Sequence, residues 1–162
     1  MAKNKEEKTN VMRVLEQKKI AYTAHTYPHE EGMAVDGVTV AKSMGFDPAI
    51  VFKTLVARGA SKQYYVFDVP VAENLDLKKA AKAVGEKSIE MLHQKELLPL
   101  TGYVHGGCSP VGMKKLFPTV FHETAENLET MIVSAGKIGY QVELSPHDLA
   151  ALVRAKFADL IV

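Results

Sequence analysis

Apolar and polar positions follow two different periods along the chain, and the changes of period mark the expected elements. Residues 9–19 carry apolar side chains at helical spacing, and Thr9 or Asn10 is placed to cap the first turn. Residues 51–58 and 63–69 are rich in β-branched and aromatic side chains and are separated by a short connector that contains glycine. This arrangement predicts a helix followed, further along the chain, by a β-hairpin.

Caps and stop signals define most of the remaining elements. Asp76 and Gly85 bound one helical segment. Ser145 followed by Pro146 starts another helix, which runs to Arg154. Two further helices are predicted over residues 38–44 and 90–98, a polar loop over 28–37, and strands over 21–27, 117–121, 130–134 and 138–144. Because strand pairs and helices are mixed, with no repeating β-α-β unit, we predict an α+β fold around a mostly antiparallel or mixed sheet.

Composition limits the classes of protein to which the chain can belong. With 162 residues, of which 47% are hydrophobic, it has the size and apolar content of one globular domain spanning residues 1–162. No apolar run reaches about 18 residues, so we expect no transmembrane helix. The charged residues 1–8 lack the apolar segment of a secretory signal. A single cysteine, Cys108, excludes an internal disulfide framework and a zinc site built from several cysteines. We therefore expect a cytoplasmic protein.

The formal net charge of +1 does not indicate a protein that binds nucleic acid through a large basic surface. A small basic patch that binds one RNA end is compatible with this net charge. The candidate lysines are Lys78, Lys79 and Lys82, and Lys114 with Lys115. Solvated surface lysines are the alternative interpretation of both clusters.

The sequence lacks the motifs of several common enzyme classes. It has no glycine-rich dinucleotide fingerprint, no Walker lysine motif, no His-Glu-x-x-His and no nucleophile elbow. His25 and His29 have the spacing of a metal-binding pair, but Pro28 lies between them after a predicted strand, so we expect no metal and no cofactor. Cys108, with His105 three residues before it, leaves a thiol nucleophile open, although a buried and inert thiol is the favoured interpretation.

Lys53 lies inside an apolar run. Ionising a buried lysine is costly, so its presence there needs a reason. One interpretation is an edge-strand lysine that reaches to water. The other is an ammonium group at the floor of a cleft, which donates to a phosphate, a ribose hydroxyl or a carbonyl oxygen. Thr54 adds a hydroxyl, although strand alternation places its side chain on the opposite face.

Two turns that contain glycine supply further candidate ligand groups. Gly106 and Gly107 can present successive N–H groups to an anion, and Ser134-Ala-Gly136 follows a predicted strand and can do the same. An ordinary tight turn is the alternative for each. Together with the lysine, these turns outline a site for an oxygen-rich, partly anionic ligand.

Several separated segments match one known family. They are Lys8-Thr-Asn-Val-Met12, His25-Thr-Tyr27, Phe52-Lys-Thr-Leu55, Leu75-Asp-Leu-Lys-Lys-Ala-Ala-Lys82, Thr101-Gly-Tyr103 with Gly106-Gly107 and Ser109-Pro110, Val133-Ser134 with Gly136-Lys137, and Ser145-Pro146 with Asp148-Leu149. In this order and spacing, the chain resembles the YbaK/EbsC family of aminoacyl-tRNA deacylases over nearly its whole length.

The resemblance implies a compact α+β fold with a mixed, mostly antiparallel, barrel-like sheet flanked by helices. It implies an enzyme that clears mischarged Cys-tRNA(Pro), and in some relatives Cys-tRNA(Cys), in trans beside prolyl-tRNA synthetase. By the same resemblance, Lys53 is the catalytic lysine. The residues implied to line the pocket for the aminoacyl-adenosine end are Tyr27, Thr54, Gly106, Gly107, Ser134, Ala135 and Gly136. The chain departs from some relatives near Asp36, where they carry an aromatic residue.

The implied mechanism fits a sequence with no evident protein nucleophile or metal. A cysteinyl ester carries its own thiol, which can attack its own carbonyl, so the protein needs only to fold the substrate and stabilise charge. Three alternatives stay open. They are a deacylase for Ala-tRNA(Pro) or another small aminoacyl-tRNA that uses a positioned water, a non-catalytic module that binds a tRNA end, and an enzyme whose nucleophile is the Cys108 thiol.

Overall fold

Five helices and eight strands form the described part of the chain, residues 8–30 and 32–162 of this computed structural model. The helices are α1 (Asn10–Gln17), α2 (Gly37–Ser43), α3 (Leu77–Val84), α4 (Gln94–Thr101) and α5 (Pro146–Val153). The strands are β1 (Tyr22–Thr26), β2 (Phe52–Gly59), β3 (Tyr64–Pro70), β4 (Ile89–Met91), β5 (Thr119–His122), β6 (Met131–Ser134), β7 (Tyr140–Leu144) and β8 (Lys156–Ala158). Two short 3-10 segments are Pro48–Ile50 and Glu123–Asn127.

We expect no secretory signal at the N-terminus, and residues 1–7 of that segment lie outside the described residues. No helix of the described ranges has the length and apolar character needed to span a bilayer.

The strands form two sheets that meet at the start of β2. Three strands pair antiparallel in the order β1-β7-β6, and five pair in the order β4-β2-β3-β5-β8. In the larger sheet, β2 pairs antiparallel with β3 and β4, whereas β5 pairs parallel with β3 and β8. A parallel bridge between Val51 and Ile132 connects the two sheets. The predicted α+β fold with a mixed, mostly antiparallel sheet is confirmed, and the barrel-like sheet is divided into these two bridged sheets.

Residues 51–57, which form the start and middle of β2 and the position before it, contribute side chains to all four hydrophobic clusters found among the described residues. Phe52 packs with α1, α5, β6 and β7, and Ala57 packs beneath α3. Val51 and Val56 belong to the two smaller clusters. All four side chains are buried. Because four clusters hold this one segment, the intervening residues 53–55 are fixed from several sides.

Side-chain caps begin three helices where the sequence predicts them. The Thr9 hydroxyl accepts the Met12 N–H at the start of α1, and Asp76 accepts two N–H groups at the start of α3. The Ser145 hydroxyl accepts the Asp148 N–H at the start of α5. These bonds satisfy N–H groups that have no partner inside the helix. The predictions of α1, α3 and α5 are confirmed.

The prediction of a single helix over residues 90–98 is wrong. Its first residues lie in β4, which pairs antiparallel with the end of β2. α4 begins only after His93 and continues through Pro99 to Thr101. Pairing with a distant strand outweighs local helix propensity in the first half of this segment. Local patterns also do not mark β8, because its three residues are defined by their parallel pairing with β5.

β3 carries a fully buried carboxyl group. Asp68 is 0% exposed and lies opposite Thr54 in the β2–β3 pair. The Thr54 hydroxyl donates to Asp68 Oδ1 at 2.5 Å, whereas Oδ2 has no hydrogen-bond partner among the described residues. Burial raises the pKa of Asp68 to about 7, against a lowering effect of the Thr54 bond. The folded protein therefore holds this proton far more tightly than a solvated aspartic acid does.

Asp68 should make the fold less stable as the pH rises. The unfolded chain loses this proton near the ordinary pKa of 3.8, whereas the folded protein keeps it until about pH 7, so stability is lost between those values. Asp68→Asn removes this titration. The unfolding free energy of the variant minus that of wild type should therefore increase by about 2–3 kcal/mol between pH 5 and pH 8, as measured by urea unfolding.

Glu16→Gln is the control for this measurement. Glu16 is exposed, and the hydrogen bond that it accepts from Tyr22 lowers the pKa of its carboxyl. This variant should show no such growth in stability with pH. Equal gains for Asp68→Asn at both pH values would contradict the effect assigned to burial.

Candidate functional site

A cavity of about 330 Å³ lies beside the first residues of β2. Its walls include that strand, residues 35–38 at the start of α2, and parts of the loop that follows α4. Ser134 of β6 and Gln141 of β7 complete the wall on the side of the smaller sheet. Both sheets therefore contribute side chains to one cavity, close to the bridge that connects them.

Lys53 lies in the wall of this cavity and is half-buried. Burial lowers the pKa of its ammonium group, and the charge of Glu73 partly offsets this. No carboxylate of the described residues lies within 4.0 Å of its Nζ atom. The ammonium group therefore lacks an ion-pair partner in the described protein, which leaves it able to bind an oxygen of a ligand.

Four of the other residues expected at the site share the cavity with Lys53. They are Tyr27, Thr54, Gly106 and Ser134. The remaining three, Gly107, Ala135 and Gly136, are not among its lining residues. The structure thus brings the lysine and one residue of each glycine-containing turn to the same cavity.

The N–H groups of the three remaining residues already have partners. Gly107 donates to a carbonyl of its own loop at 3.0 Å, and Ala135 donates to the first carbonyl of β7 at 3.0 Å. Gly136 donates to the Ser134 hydroxyl at 3.1 Å. These three N–H groups stabilise the turns, whereas Gly106 lines the cavity and its N–H has no backbone partner among the turn and loop bonds of the described residues.

Close packing explains the two adjacent glycines of the loop after α4. Gly106 has a φ of +89°, and a Cβ atom there would lie 2.8 Å from the Ala34 side chain. A Cβ atom on Gly107 would lie 3.1 Å from the backbone nitrogen of Ile138. Side chains at these positions would push the loop away from its neighbours. The two glycines therefore let three chain segments meet at the rim of the cavity.

Two buried polar side chains at the site were not predicted. Gln141 lines the cavity and is 7% exposed, and its Oε1 atom has no partner among the described residues. Asp68 lies behind Thr54, with its unpartnered Oδ2 atom. The signal that singles out Lys53, a polar residue within a strand of apolar residues, is present in the sequence for Asp68. Gln141 alternates with Glu143 along β7 and looks in the sequence like part of an ordinary polar face.

The Cys108 thiol lines the cavity in a form unsuited to nucleophilic attack. Burial, and to a smaller extent the charge of Asp68, raise the pKa of this thiol to about 12. The thiol therefore keeps its proton at neutral pH. His105 lines the same cavity, but no hydrogen bond joins it to Cys108 within the described ranges. The interpretation of a buried, inert thiol agrees with this geometry.

The two histidines with metal-like spacing have other partners. His25 Nε2 lies 2.8 Å from Glu143 Oε1, and His29 Nδ1 lies 3.1 Å from the Tyr27 carbonyl oxygen. In residues 8–30 and 32–162, no group of three or more His, Cys, Asp or Glu side chains is placed to hold a metal ion. These histidines contribute instead to the pairing of β1 with β7 and to the turn after β1.

Asp36, near which the resemblance implies a departure from some relatives, lies in the cavity wall as the cap of α2. Its carboxylate accepts the Thr39 hydroxyl at 2.6 Å and the Thr39 N–H at 3.1 Å. These bonds lower the pKa of Asp36. The loop before α2 therefore presents a charged helix cap to the cavity.

Two lysines of the candidate RNA patches have partners. Lys79 Nζ donates to Asp159 at 2.9 Å and to the Ile161 carbonyl at 2.7 Å. Lys114 Nζ donates to the Pro99 carbonyl at 3.2 Å. Each patch therefore offers less open positive charge to RNA than the sequence suggests.

Comparison with known proteins places this chain in a family. Residues 29–152 match the model of the aminoacyl-tRNA editing domain. A protein of Enterococcus faecalis named as a candidate Cys-tRNA(Pro)/Cys-tRNA(Cys) deacylase, EbsC, is 45% identical over 161 residues, which cover 99% of this chain and 98% of that protein.

Solved structures show the same relationship at the level of the fold. One, described as a candidate trans-editing enzyme for prolyl-tRNA synthetase, is 26% identical with a TM-score of 0.79 and covers 94% of both chains. A hypothetical protein that is 19% identical shares the fold, with a TM-score of 0.81 over 93% of this chain and 97% of its own. The resemblance inferred from the sequence is confirmed, and the chain belongs to the YbaK/EbsC family of aminoacyl-tRNA editing domains.

Proposed function

We propose that this protein is a trans-editing deacylase that removes cysteine from mischarged Cys-tRNA(Pro), and also acts on Cys-tRNA(Cys). The observation that supports this most is the half-buried Lys53 ammonium group, which lines a cavity without an ion-pair partner among the described residues. The family and the EbsC relative supply the class of substrate. A cation of this kind suits an ester whose oxygens gain negative charge during cleavage.

The cavity fits the end of an aminoacyl-tRNA. Its volume of about 330 Å³ is at the lower end of ligand pockets, which span about 300–1,000 Å³. A pocket of this size accommodates an aminoacyl group with its ribose, while the rest of the tRNA stays outside. Lys53, the Thr54 and Ser134 hydroxyls, and the Gln141 amide give the wall both donors and acceptors.

The substrate supplies the nucleophile in the proposed reaction. The cysteinyl thiol attacks its own ester carbonyl, so that a carbon–sulfur bond forms and the bond from the carbonyl carbon to the ribose oxygen breaks. The thiol proton passes to the ribose oxygen, which leaves as the terminal hydroxyl of the tRNA. The cyclic thioester that is released then takes up water and gives free cysteine. The protein contributes geometry and charge stabilisation, which are the two effects that this site offers.

Lys53 is the proposed catalytic residue. Its ammonium group would donate to the carbonyl oxygen as that oxygen becomes negative, and the Gly106 N–H on the cavity wall is a candidate for a second donor. The Gln141 Oε1 atom is an acceptor without a partner among the described residues, which suits the α-ammonium group of the substrate. Tyr27 and Ser134 complete the proposed wall around the ribose, and Gly107, Ala135 and Gly136 support it from behind.

Recruitment through prolyl-tRNA synthetase in the cytoplasm is part of the proposal. A net charge of +1 and lysines already engaged in internal bonds favour weak binding of tRNA alone. A complex with the synthetase would raise the local concentration of the mischarged tRNA. The synthetase that produces the error is the most direct source of that substrate.

Lys53→Ala should lower the rate of deacylation of Cys-tRNA(Pro) by about 10²–10³-fold in single-turnover measurements, because one preorganised donor to the developing oxyanion is lost. Lys62→Ala is the matched control, since this exposed lysine lies in the connector of the same hairpin and should leave the rate unchanged. An unchanged rate in Lys53→Ala would remove the lysine from the mechanism, and tRNA binding without cleavage by wild type would favour the non-catalytic module.

The wild-type protein should cleave Cys-tRNA(Pro) at least about 10²-fold faster than Ala-tRNA(Pro), because only the cysteinyl ester carries an internal thiol. The measurement is the single-turnover rate for both esters on the same tRNA. Equal rates would contradict thiol assistance and would favour the alternative deacylase, in which a positioned water attacks small aminoacyl esters.

Cys108→Ala should keep deacylase activity within about threefold of wild type, because a thiol with a pKa of about 12 is not an activated nucleophile. The measurement is again single-turnover cleavage of Cys-tRNA(Pro), with circular dichroism to verify folding. A loss of about 10³-fold or more in a folded variant would instead support the thiol enzyme.

A further inference from the structure

The hydroxyl of Thr54 has its proton committed to Asp68. Thr54 Oγ1 donates to Asp68 Oδ1 at 2.5 Å, and the two residues lie directly opposite each other in the β2–β3 pair. A hydroxyl has one donor and two acceptor positions. While Asp68 is ionised, this donor is used inside the sheet, so Thr54 can offer only lone pairs to the cavity that it lines.

Asp68 has no direct access to a ligand in the cavity. Its side chain is 0% exposed, and it does not line the cavity. Its second carboxyl oxygen has no hydrogen-bond partner among the described residues. Any effect of Asp68 on a substrate therefore has to pass through a neighbour, and Thr54 is the side chain to which it is hydrogen-bonded.

We infer that Asp68 is a positioning residue, which makes the Thr54 hydroxyl a hydrogen-bond acceptor for donor groups of the aminoacyl end. A cysteinyl ester has two such donors close to its carbonyl, the α-ammonium group and the thiol. The inference rests on the proposed function, since it names the substrate groups that this wall of the cavity recognises. It assigns Asp68 a part in substrate binding that needs no contact with the substrate.

The polarity of Thr54 depends on the protonation of Asp68. An ionised carboxylate only accepts, so Thr54 has to donate to it. A neutral carboxylic acid can donate its own proton to Thr54, which frees the threonine proton to point into the cavity. Since the pKa of Asp68 is raised by burial to about 7, this reversal falls near neutral pH. Binding of a donor group should improve as the pH rises through 7.

The other groups that face Asp68 do not titrate near pH 7. β5 presents Phe121 opposite Asp68, and the loop after α4 brings Cys108, whose pKa is about 12. The segment Pro48–Ile50, which contacts β3, has no ionisable side chain. The change in polarity therefore belongs to the pair of Asp68 and Thr54.

Two charged or titratable residues next to these positions belong to the opposite side of the sheet. Lys53 precedes Thr54 on β2, and His122 follows Phe121 on β5, so both side chains leave their strands from the face opposite to Asp68. Lys53 nevertheless lines the same cavity as Thr54, at the start of β2. His122 accepts the Leu160 N–H, and burial lowers the pKa of its ring. Neither residue shares the face on which Asp68 meets Thr54.

The first test measures kcat and KM for Cys-tRNA(Pro) at pH 8 with Asp68→Leu, Thr54→Val and the double variant. Asp68→Leu removes the acceptor that orients Thr54, so KM should rise about tenfold while kcat changes less than about twofold. Thr54→Val should raise KM by a similar factor, and the double variant should be no worse than either single variant. Additive losses in the double variant would overturn the inference, because Asp68 would then act without Thr54.

The second test uses Asp68→Asn, which keeps the shape of the side chain but does not titrate. The ratio of wild-type to variant kcat/KM should increase about fivefold between pH 6 and pH 8, because wild type gains the carboxylate form over this range. Ionisations of the substrate and of other cavity groups cancel in the ratio. A ratio that stays flat would overturn the inference.

A third measurement separates failure of this inference from failure of the proposed function. The Asp68 carboxyl is titrated by ¹³C NMR in wild type and in Thr54→Val. Because the Thr54 bond lowers the pKa of Asp68, its loss should raise that pKa further. An unchanged pKa would overturn the inference whether or not the protein cleaves any aminoacyl-tRNA. A raised pKa in a protein that cleaves none would leave the hydrogen bond established and overturn the deacylase function.

Discussion

The half-buried ammonium group of Lys53 is the constraint on which the site depends. Burial opposes its charge, and within the described residues no carboxylate lies close enough to form an ion pair with it. A flexible strand would let such a side chain swing out to water. β2 does not have that freedom, because Val51 and residues 52–57 of the strand reach four separate hydrophobic clusters. The cores therefore hold the ammonium group where a ligand oxygen can complete its solvation.

The cavity and the strand behind it hold several polar groups without partners among the described residues. Besides Lys53, the Gln141 Oε1 and Asp68 Oδ2 atoms have no hydrogen-bond partner among the described residues. Each unpartnered buried polar atom destabilises a fold by roughly 1–3 kcal/mol. Such groups are typical of sites where stability is given up for ligand binding. Their position on two bridged sheets lets the rigid framework, rather than a mobile loop, set the distances between them.

The sequence predicts those features that depend on local chemistry. Caps at Thr9, Asp76 and Ser145 mark the starts of three helices because each bond spans only two or three residues. Lys53 could be predicted as a site residue because burying its charge within an apolar strand is unfavourable wherever that strand lies in the fold. The same reasoning applied to Asp68 would have found the buried carboxyl on the neighbouring strand.

Features that depend on pairing between segments distant in the sequence cannot be predicted from local sequence patterns. β4 and β8 form by pairing with the edges of β2 and β5, and neither segment has a strong strand pattern in its own sequence. The N–H groups of Gly107 and Ala135 looked like open donors, whereas the turns use them internally. Which glycine of a turn faces a ligand is decided by the segments packed around it, and these come from elsewhere in the chain.

The central claim is that Lys53 meets the ester end of an aminoacyl-adenosine inside this cavity. The most direct measurement is a crystal structure of the protein bound to a non-hydrolysable amide analogue of cysteinyl-adenosine. The account predicts the Lys53 Nζ atom within about 3 Å of the aminoacyl carbonyl oxygen, with Thr54 and Gln141 around the cysteinyl group. An analogue bound elsewhere, with the Lys53 ammonium group directed to bulk water, would contradict it.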